Sequence, residues 1–218
     1  MQKSRLILIV TFVFSTVSVF SQEKNSSKVL TQFFPSGQIQ MINTYSDTIK
    51  NGVQIELDSN GRLVKQEEYL FGKLNGKQIT YLRGRISVIQ NYKNGLLDGV
   101  VEMYSNRRKL TSSEIYKDGK KEGESKWFYQ DGKICAIYNY QGGEIVGEAK
   151  FFHENGKDKS VYSFSDNEME GLFLEYDEAG NKTVEGQYEK GKKEGKWKYF
   201  TSEGKLKETV KYKNGVKK

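Results

Sequence analysis

Gly52, Gly76, Gly99, Gly123, Gly147, Gly171 and Gly195 follow one another at intervals of 24, 23, 24, 24, 24 and 24 residues. Self-similarity at a fixed period of this length is the signature of a repeat array. Each unit is then one supersecondary piece that buries its apolar face only against its neighbours. One period back places the first unit at Lys28. Eight units starting near 28, 52, 76, 99, 123, 147, 171 and 195 therefore fill residues 28–218, with residues 22–27 as a short linker before them.

Two further glycines punctuate each unit. Nine residues after the start come Gly37, Gly61, Gly132, Gly156, Gly180 and Gly204, with Gly84 in the third unit, which is one residue short, and Arg108 in the fourth. Eleven residues later come Gly72, Gly95, Gly119, Gly143, Gly191 and Gly215, with Asn167 in the sixth unit and Thr48 in the first. Asparagine is the next most tolerant residue of positive φ. Between these breaks lie short runs rich in aromatic and β-branched residues with period-two alternation. In KWKYF, Trp197 and Tyr199 fall on one face and Phe200 on the other. Such runs bounded by Asn60-Gly61, Asp131-Gly132 or Asn155-Gly156 read as β-hairpins. No stretch after residue 30 sustains a 3.6-residue apolar period, and the single proline leaves the strands their N–H donors. The fold expected is all-β: a repetitive antiparallel hairpin meander of about eight units. Sixteen strands would form an elongated, twisted sheet on the order of 70 Å long.

Two aromatic series run through the array. Five residues after each start stand Phe33, Leu57, Tyr81, Tyr104, Phe128, Phe152, Tyr176 and Phe200. Eight residues after the mid-unit turn stand Tyr45, Tyr69, Tyr92, Tyr116, Tyr140, Phe164, Tyr188 and Tyr212. If the chain folds back at the intervening G-x-x-x-G turn, Tyr116 opposes Phe128, Tyr140 opposes Phe152, Phe164 opposes Tyr176 and Tyr188 opposes Phe200. Each such pair contributes roughly 0.2–1 kcal/mol. On that register Tyr212 has no partner ahead of it. Ile39, Leu63, Ile86, Leu110, Ile134 and Leu206 recur two residues after the mid-unit turn. Asp158 and Lys182 interrupt them, which predicts a wetter sheet around units six and seven. The lysines of KYKNGVKK should discourage edge-to-edge pairing at that end.

The chain opens on MQKSRLILIVTFVFSTVSVFSQEKN: Lys3 and Arg5, an apolar run from Leu6 to Phe20, then Ser21-Gln22. This reads as a signal peptide over residues 1–21, cleaved near Ser21-Gln22, with export to the periplasm, cell envelope or medium. The run is short for a bilayer span, which needs roughly 20 residues. Removing Lys3 and Arg5 leaves 33 basic residues against 28 acidic, a net charge of +5. That excess suits a solvated surface, and with export it argues against nucleic acid as partner. The only cysteine, Cys135, has no internal disulfide partner, so packing and hydrogen bonds hold the fold.

The unit G-x-W-x-x-[YF]-x-x-x-G-x-[IL]-x-x-x-x-x-Y-x-x-G-x-x-x-G, clearest in residues 195–215 and 123–147, resembles the MORN repeat and more closely its bacterial variant. The resemblance extends over residues 28–218. It implies a scaffold or binding surface. Bacterial chains with the variant repeat often carry the label of YwqK-family antitoxins, which implies neutralisation of a toxin or effector as an alternative. Others are labelled membrane-binding.

Catalytic chemistry has little to work with. His153, the only histidine, stands in FFHENG beside a turn, where a solvated loop residue is expected. With one histidine and one cysteine 18 residues apart, a zinc site of the usual kind is not expected. Cys135 reads as a buried structural thiol on a strand. The GKKEG turns at Gly119 and Gly191 lack the P-loop sequence. Their Lys120, Lys121, Lys192 and Lys193 are expected in solvated turns that can attract anions. Trp127 and Trp197 are the candidate contact residues. They form a platform for a partner if they face solvent, and are core if they face packed neighbours. The expectation is an exported, non-enzymatic binding or scaffold module with no cofactor. Its partner would be a protein or cell-envelope component, or else a membrane surface.

Overall fold

The computed structural model describes residues 27–218, and the segment read as a signal peptide lies outside them. The first hairpin is β1 (Ser27–Phe33) and β2 (Ile39–Ser46). It is followed by β3 (Ile49–Leu57) with β4 (Leu63–Leu70), and β5 (Lys73–Leu82) with β6 (Arg85–Lys93). In the next three hairpins the leading strand is split. β7 (Leu96–Leu97) and β8 (Gly99–Tyr104) precede β9 (Leu110–Lys117). β10 (Lys120–Lys121) and β11 (Gly123–Phe128) precede β12 (Ile134–Gln141). β13 (Glu144–Ile145) and β14 (Gly147–Phe152) precede β15 (Asp158–Ser165). The last two pair β16 (Glu168–Tyr176) with β17 (Lys182–Glu189) and β18 (Lys192–Phe200) with β19 (Leu206–Lys213), and β20 (Val216–Lys217) trails behind. Every pairing is antiparallel and runs between neighbours along the chain, so the described residues form one open meander of hairpins.

Two kinds of reversal alternate. Between hairpins the turn has two residues, as in Asp118-Gly119 (φ 49° and 82°) and Asn214-Gly215 (φ 52° and 82°). Positive φ at both positions matches the right-handed twist of the flanking strands. Asp166-Asn167 does the same without glycine (φ 50° and 68°). Within a hairpin the loop is longer. Gly61 N–H donates to the Asp58 carbonyl and Asp58 N–H to the Arg62 carbonyl, which leaves Gly61 at φ 75°. In the fourth unit Arg108 takes that left-handed position (φ 61°). The third unit absorbs its missing residue in a two-residue turn, Arg83-Gly84 between Leu82 and Arg85, and Tyr81 still opposes Ile86 as Phe128 opposes Ile134.

The expected aromatic pairs do not form. The chain reverses on the first glycine of G-x-x-x-G rather than at its middle. Tyr116 therefore lies opposite Lys121 and, in its own hairpin, Gly99. Phe128 pairs with Ile134, on the other face of the sheet. Likewise Tyr140 opposes Gly123 and Ile145, while Phe152 opposes Asp158. Phe164 opposes Gly147 and Met169, and Tyr176 opposes Lys182. Tyr188 opposes Gly171 and Lys193, and Phe200 opposes Leu206. The second glycine of the motif stands inside a strand opposite a tyrosine or Phe164 and takes positive φ there, from 67° at Gly147 to 117° at Gly76, a conformation that glycine adopts without steric cost. Tyr212 does have partners: it opposes Gly195 and Lys217, and its ring meets Trp197 at 6.0 Å.

Alternation along the strands assigns every buried residue except Val161 to one face, here called the packed face. One row of cross-strand neighbours crosses it. In the N-terminal half the row reads Asn43, Gln54, Glu67, Gln78, Gln90. In the C-terminal half it pairs Ser125 with Tyr138, Ala149 with Tyr162, Phe173 with Gly186 and Trp197 with Val210. Each pair sets a large side chain against a smaller one, so that rings from successive strands interdigitate. Units six and seven are not the wetter region expected. Asp158 and Lys182 stand on the opposite face, while Ala149, Ser160 and Phe173 beneath are buried.

Candidate functional site

The packed face of the C-terminal half is a continuous file of rings. Trp127 meets Tyr138 (5.1 Å between centroids), Tyr138 meets Phe151 (5.5 Å), Phe151 meets Tyr162 (5.5 Å) and Tyr162 meets Phe173 (4.8 Å). Phe173 stacks on Trp197 at 5.3 Å and 28°. Gly186, opposite Phe173, makes that stack possible, because a Cβ there would sit 2.3 Å from the Trp197 ring. Phe and Trp edges and faces prefer such tilted, offset contacts, which add to their area burial.

The two tryptophans named from the sequence separate on this face. Trp197 is 1% exposed, with its indole N–H donated to the Gln187 carbonyl at 3.2 Å. It is core, enclosed by Phe173, Tyr188 and Tyr212, and offers no platform. Trp127 is half-buried and lines an open cleft of about 570 Å³ with Tyr129, Tyr138, Tyr140, Phe151 and Lys159. Burial raises the Tyr138 hydroxyl above its ordinary value, and neighbouring Tyr140 adds to this. The Tyr138 phenol is therefore held neutral in the cleft, and the exposed Lys159 also lines it.

A β-bulge shapes the cleft. Trp127 opposes Ala136 but Phe128 opposes Ile134, so Cys135 is the extra residue. Equivalent extra residues occur in all eight hairpins, and Lys159 is that of the next unit. Ser87 and Thr111, at the same position earlier in the array, donate their hydroxyls to Thr80 and Met103 carbonyls across the strand. The Cys135 thiol is half-buried, and burial pushes it up, which keeps it protonated and a poor nucleophile.

His153 differs from the solvated loop residue expected. Its Nε2 lies 2.9 Å from the Tyr176 carbonyl, which accepts, so the ring ties one hairpin loop to the next. One unit earlier Tyr129 does the same through its hydroxyl, donated to the Phe152 carbonyl at 2.6 Å. The lysines of GKKEG divide as well. Lys120 and Lys192 are exposed. Lys121 pairs with the buried Glu114 at 3.1 Å and lies over the Tyr140 ring at 4.9 Å. Lys193 lies 4.0 Å over Trp197 and 5.3 Å over Tyr212. These two cations clamp rings rather than wait in a solvated turn.

Sequence reasoning missed the residue just before each unit glycine. Asn51, Asn75, Asp98, Glu122, Glu170 and Glu194 accept backbone N–H groups of the next turn, from Phe71, Asn94, Asp118, Gly142, Lys190 and Asn214. Val146 breaks the series, and there Asn167 accepts from Ile145 N–H at 2.7 Å instead. The signal was present as an amide or acid ahead of nearly every unit glycine. Among the described residues no group of three or more His, Cys, Asp or Glu is placed to hold a metal ion.

With this geometry in view, residues 121–141, 145–166, 169–190 and 193–214 match the family described as MORN repeat variant. Residues 121–214 carry four MORN-variant repeats. The matched segments coincide with the half whose packed face is aromatic. No curated protein matches the chain. MORN-variant repeats are consistent with a module that binds protein or membrane.

Proposed function

We propose that this is an exported, non-enzymatic binding module whose contact surface is the cleft of the MORN-variant half. The observation that carries the reading is the open aromatic cleft around Trp127, lined also by Tyr138, Tyr140, Phe151 and the exposed Lys159. Its volume lies within the roughly 300–1,000 Å³ of ligand-sized sites. Half-buried rings that keep one side open supply large contact area at low conformational cost. A binding role also agrees with the chemistry of the two side chains best suited to catalysis. His153 is engaged with a backbone carbonyl and Cys135 is held protonated. The basic and apolar N-terminal stretch supports export.

Affinity capture from an envelope fraction tests this, with wild type beside Lys159→Glu and Trp127→Ala. Loss of one defined protein with both variants, while each keeps the wild-type circular dichroism spectrum, supports the reading. Capture unaffected by either variant places the contact elsewhere. Salt-sensitive sedimentation with anionic liposomes, unchanged by Trp127→Ala, would favour a membrane surface instead. Rescue of a toxic neighbouring product by co-expression would favour the antitoxin reading.

A further inference from the structure

The two ends of the sheet are built differently. At one end β19 carries Lys207, Lys211 and Lys213, and β20 pairs with its last residues, Tyr212 with Lys217 and Lys213 with Val216. Lysines and a covering segment are the usual means of blocking an edge against another strand. At the other end β1 is SKVLTQF. It has one lysine, no acid and no proline, every residue is exposed, and among the described residues it pairs on one side only, with β2. Val29 is 61% exposed, Leu30 41% and Phe33 57%. An exposed strand that carries Val29, Leu30 and Phe33 and a free row of main-chain donors and acceptors is a template for strand addition.

We infer that β1 pairs with β1 of a second copy, antiparallel about a two-fold axis at Leu30, to join two arrays into one continuous sheet. Three observations select this occupant. Centring on Leu30, the midpoint of Ser27–Phe33, pairs all seven residues. Leu30 then meets Leu30, Val29 meets Thr31, Ser27 meets Phe33 and Lys28 meets Gln32, so no like charges oppose one another. A two-fold perpendicular to the sheet also keeps the packed face of one copy level with that of the other, because opposed residues share a face. Head-to-tail growth, β1 on β19, sets a basic strand without acids beside a lysine-rich one, and Lys28 finds only Glu208 for company. A closed two-fold pairing also stops at two copies, where head-to-tail addition would not. The interface is independent of whatever the aromatic cleft binds, since β1 and the cleft lie in different halves.

A single strand pair buries less than a standard interface, so the dimer should be weak, with a Kd in the micromolar range and below about 0.1 mM. Sedimentation equilibrium of the chain up to about 0.1 mM should fit a monomer–dimer model, and Leu30→Lys, which sets two charges face to face at the axis, should raise the Kd at least about tenfold. Because a variant could act through misfolding, position is tested separately. Leu30→Cys in a Cys135→Ser background should oxidise to a covalent dimer, since directly opposed residues in an antiparallel pair lie within disulfide reach. Lys211→Cys in the same background should not. A monomer throughout that range overturns the inference. So does a dimer indifferent to Leu30→Lys, a series of higher oligomers, or cross-linking through position 211 rather than 30.

Discussion

The two halves of the sheet share turns, bulges and register but fill the same row with opposite chemistry. In the N-terminal half the row is Asn43, Gln54, Glu67, Gln78 and Gln90, and its polar contacts centre on Glu67. Gln78 donates to Glu67, Lys65 pairs with Glu67 at 3.4 Å, and Tyr69 reaches Glu67 at 3.3 Å. Asn43 Oδ1 and Gln54 Nε2 are buried with no hydrogen-bond partner among the described residues, although the two residues oppose each other. In the C-terminal half the row holds Tyr138, Tyr162, Phe173 and Trp197, and Trp127, Phe151 and Tyr212 beside it complete the file of rings. The backbone architecture thus rests on glycines, turns and side-chain bonds to carbonyls of the next hairpin, such as Thr44 Oγ1 to the Val53 carbonyl and Asn139 Nδ2 to the Glu148 carbonyl. The filling is free to vary. An aromatic filling gains apolar burial, whereas a polar one gains little net and is penalised for each group left unpaired.

The largest test of this contrast is at the stack. Trp197→Ala should destabilise the fold by about 3–5 kcal/mol, the cost of removing a buried large aromatic. Gly186→Ala should act in the same direction without touching a ring, because its Cβ has no space against Trp197. Urea unfolding measures both, and a near-neutral Gly186→Ala would show that the stack is not as tight as its geometry.

Alkali should also loosen the array, for different reasons in the two halves. Tyr116 is pushed up to about 12 by burial and then by Glu114, whereas Tyr199 is pushed up to about 12 by burial and then by Tyr212. A raised folded-state value means that the neutral phenol is favoured by folding. That stabilisation is complete below the unfolded value of about 10 and is lost as pH climbs towards 12. Stability should therefore be insensitive to these groups at neutral pH and fall between about pH 10 and 12. Absorbance titration of Glu114→Gln should show Tyr116 ionising earlier and Tyr199 unmoved.

Smaller effects sharpen the polar side. Replacing Asn43 and Gln54 together by leucine should raise stability by about 1 kcal/mol, since two unpaired buried amide groups disappear. A loss would mean that the polar row is satisfied in solution. Arg108→Gly should stabilise by about 0.5–1 kcal/mol by relieving a left-handed non-glycine position. The equivalent change at Asn167 should not stabilise, because asparagine tolerates that region and its side chain accepts the Ile145 N–H.

The all-β hairpin array was legible because glycine spacing reports backbone need directly, and positive φ recurs at nearly all of those glycines. Register was not. Gly119 and Gly123 look alike in sequence, yet only the first turns the chain, and a shift of the reversal point moves Phe128 to the other face from Tyr116. The bulge residues were invisible for a related reason. Gln40, Val64, Ser87, Thr111, Cys135, Lys159, Thr183 and Lys207 share a position and no chemistry. The cleft was half legible. Trp127 and Trp197 stand out in the sequence, but their different burial depends on a two-residue offset from the unit glycine, four positions on for Trp127 and two for Trp197.

Native-state hydrogen exchange compares the halves most directly, because turns and ladders are the same in both and only the filling differs. Amides of β16–β19 should exchange at least about tenfold more slowly than those of β2–β5, as expected where apolar contacts close over the backbone. Equal protection, or slower exchange in β2–β5, would contradict the claim that the aromatic row is what stabilises this sheet.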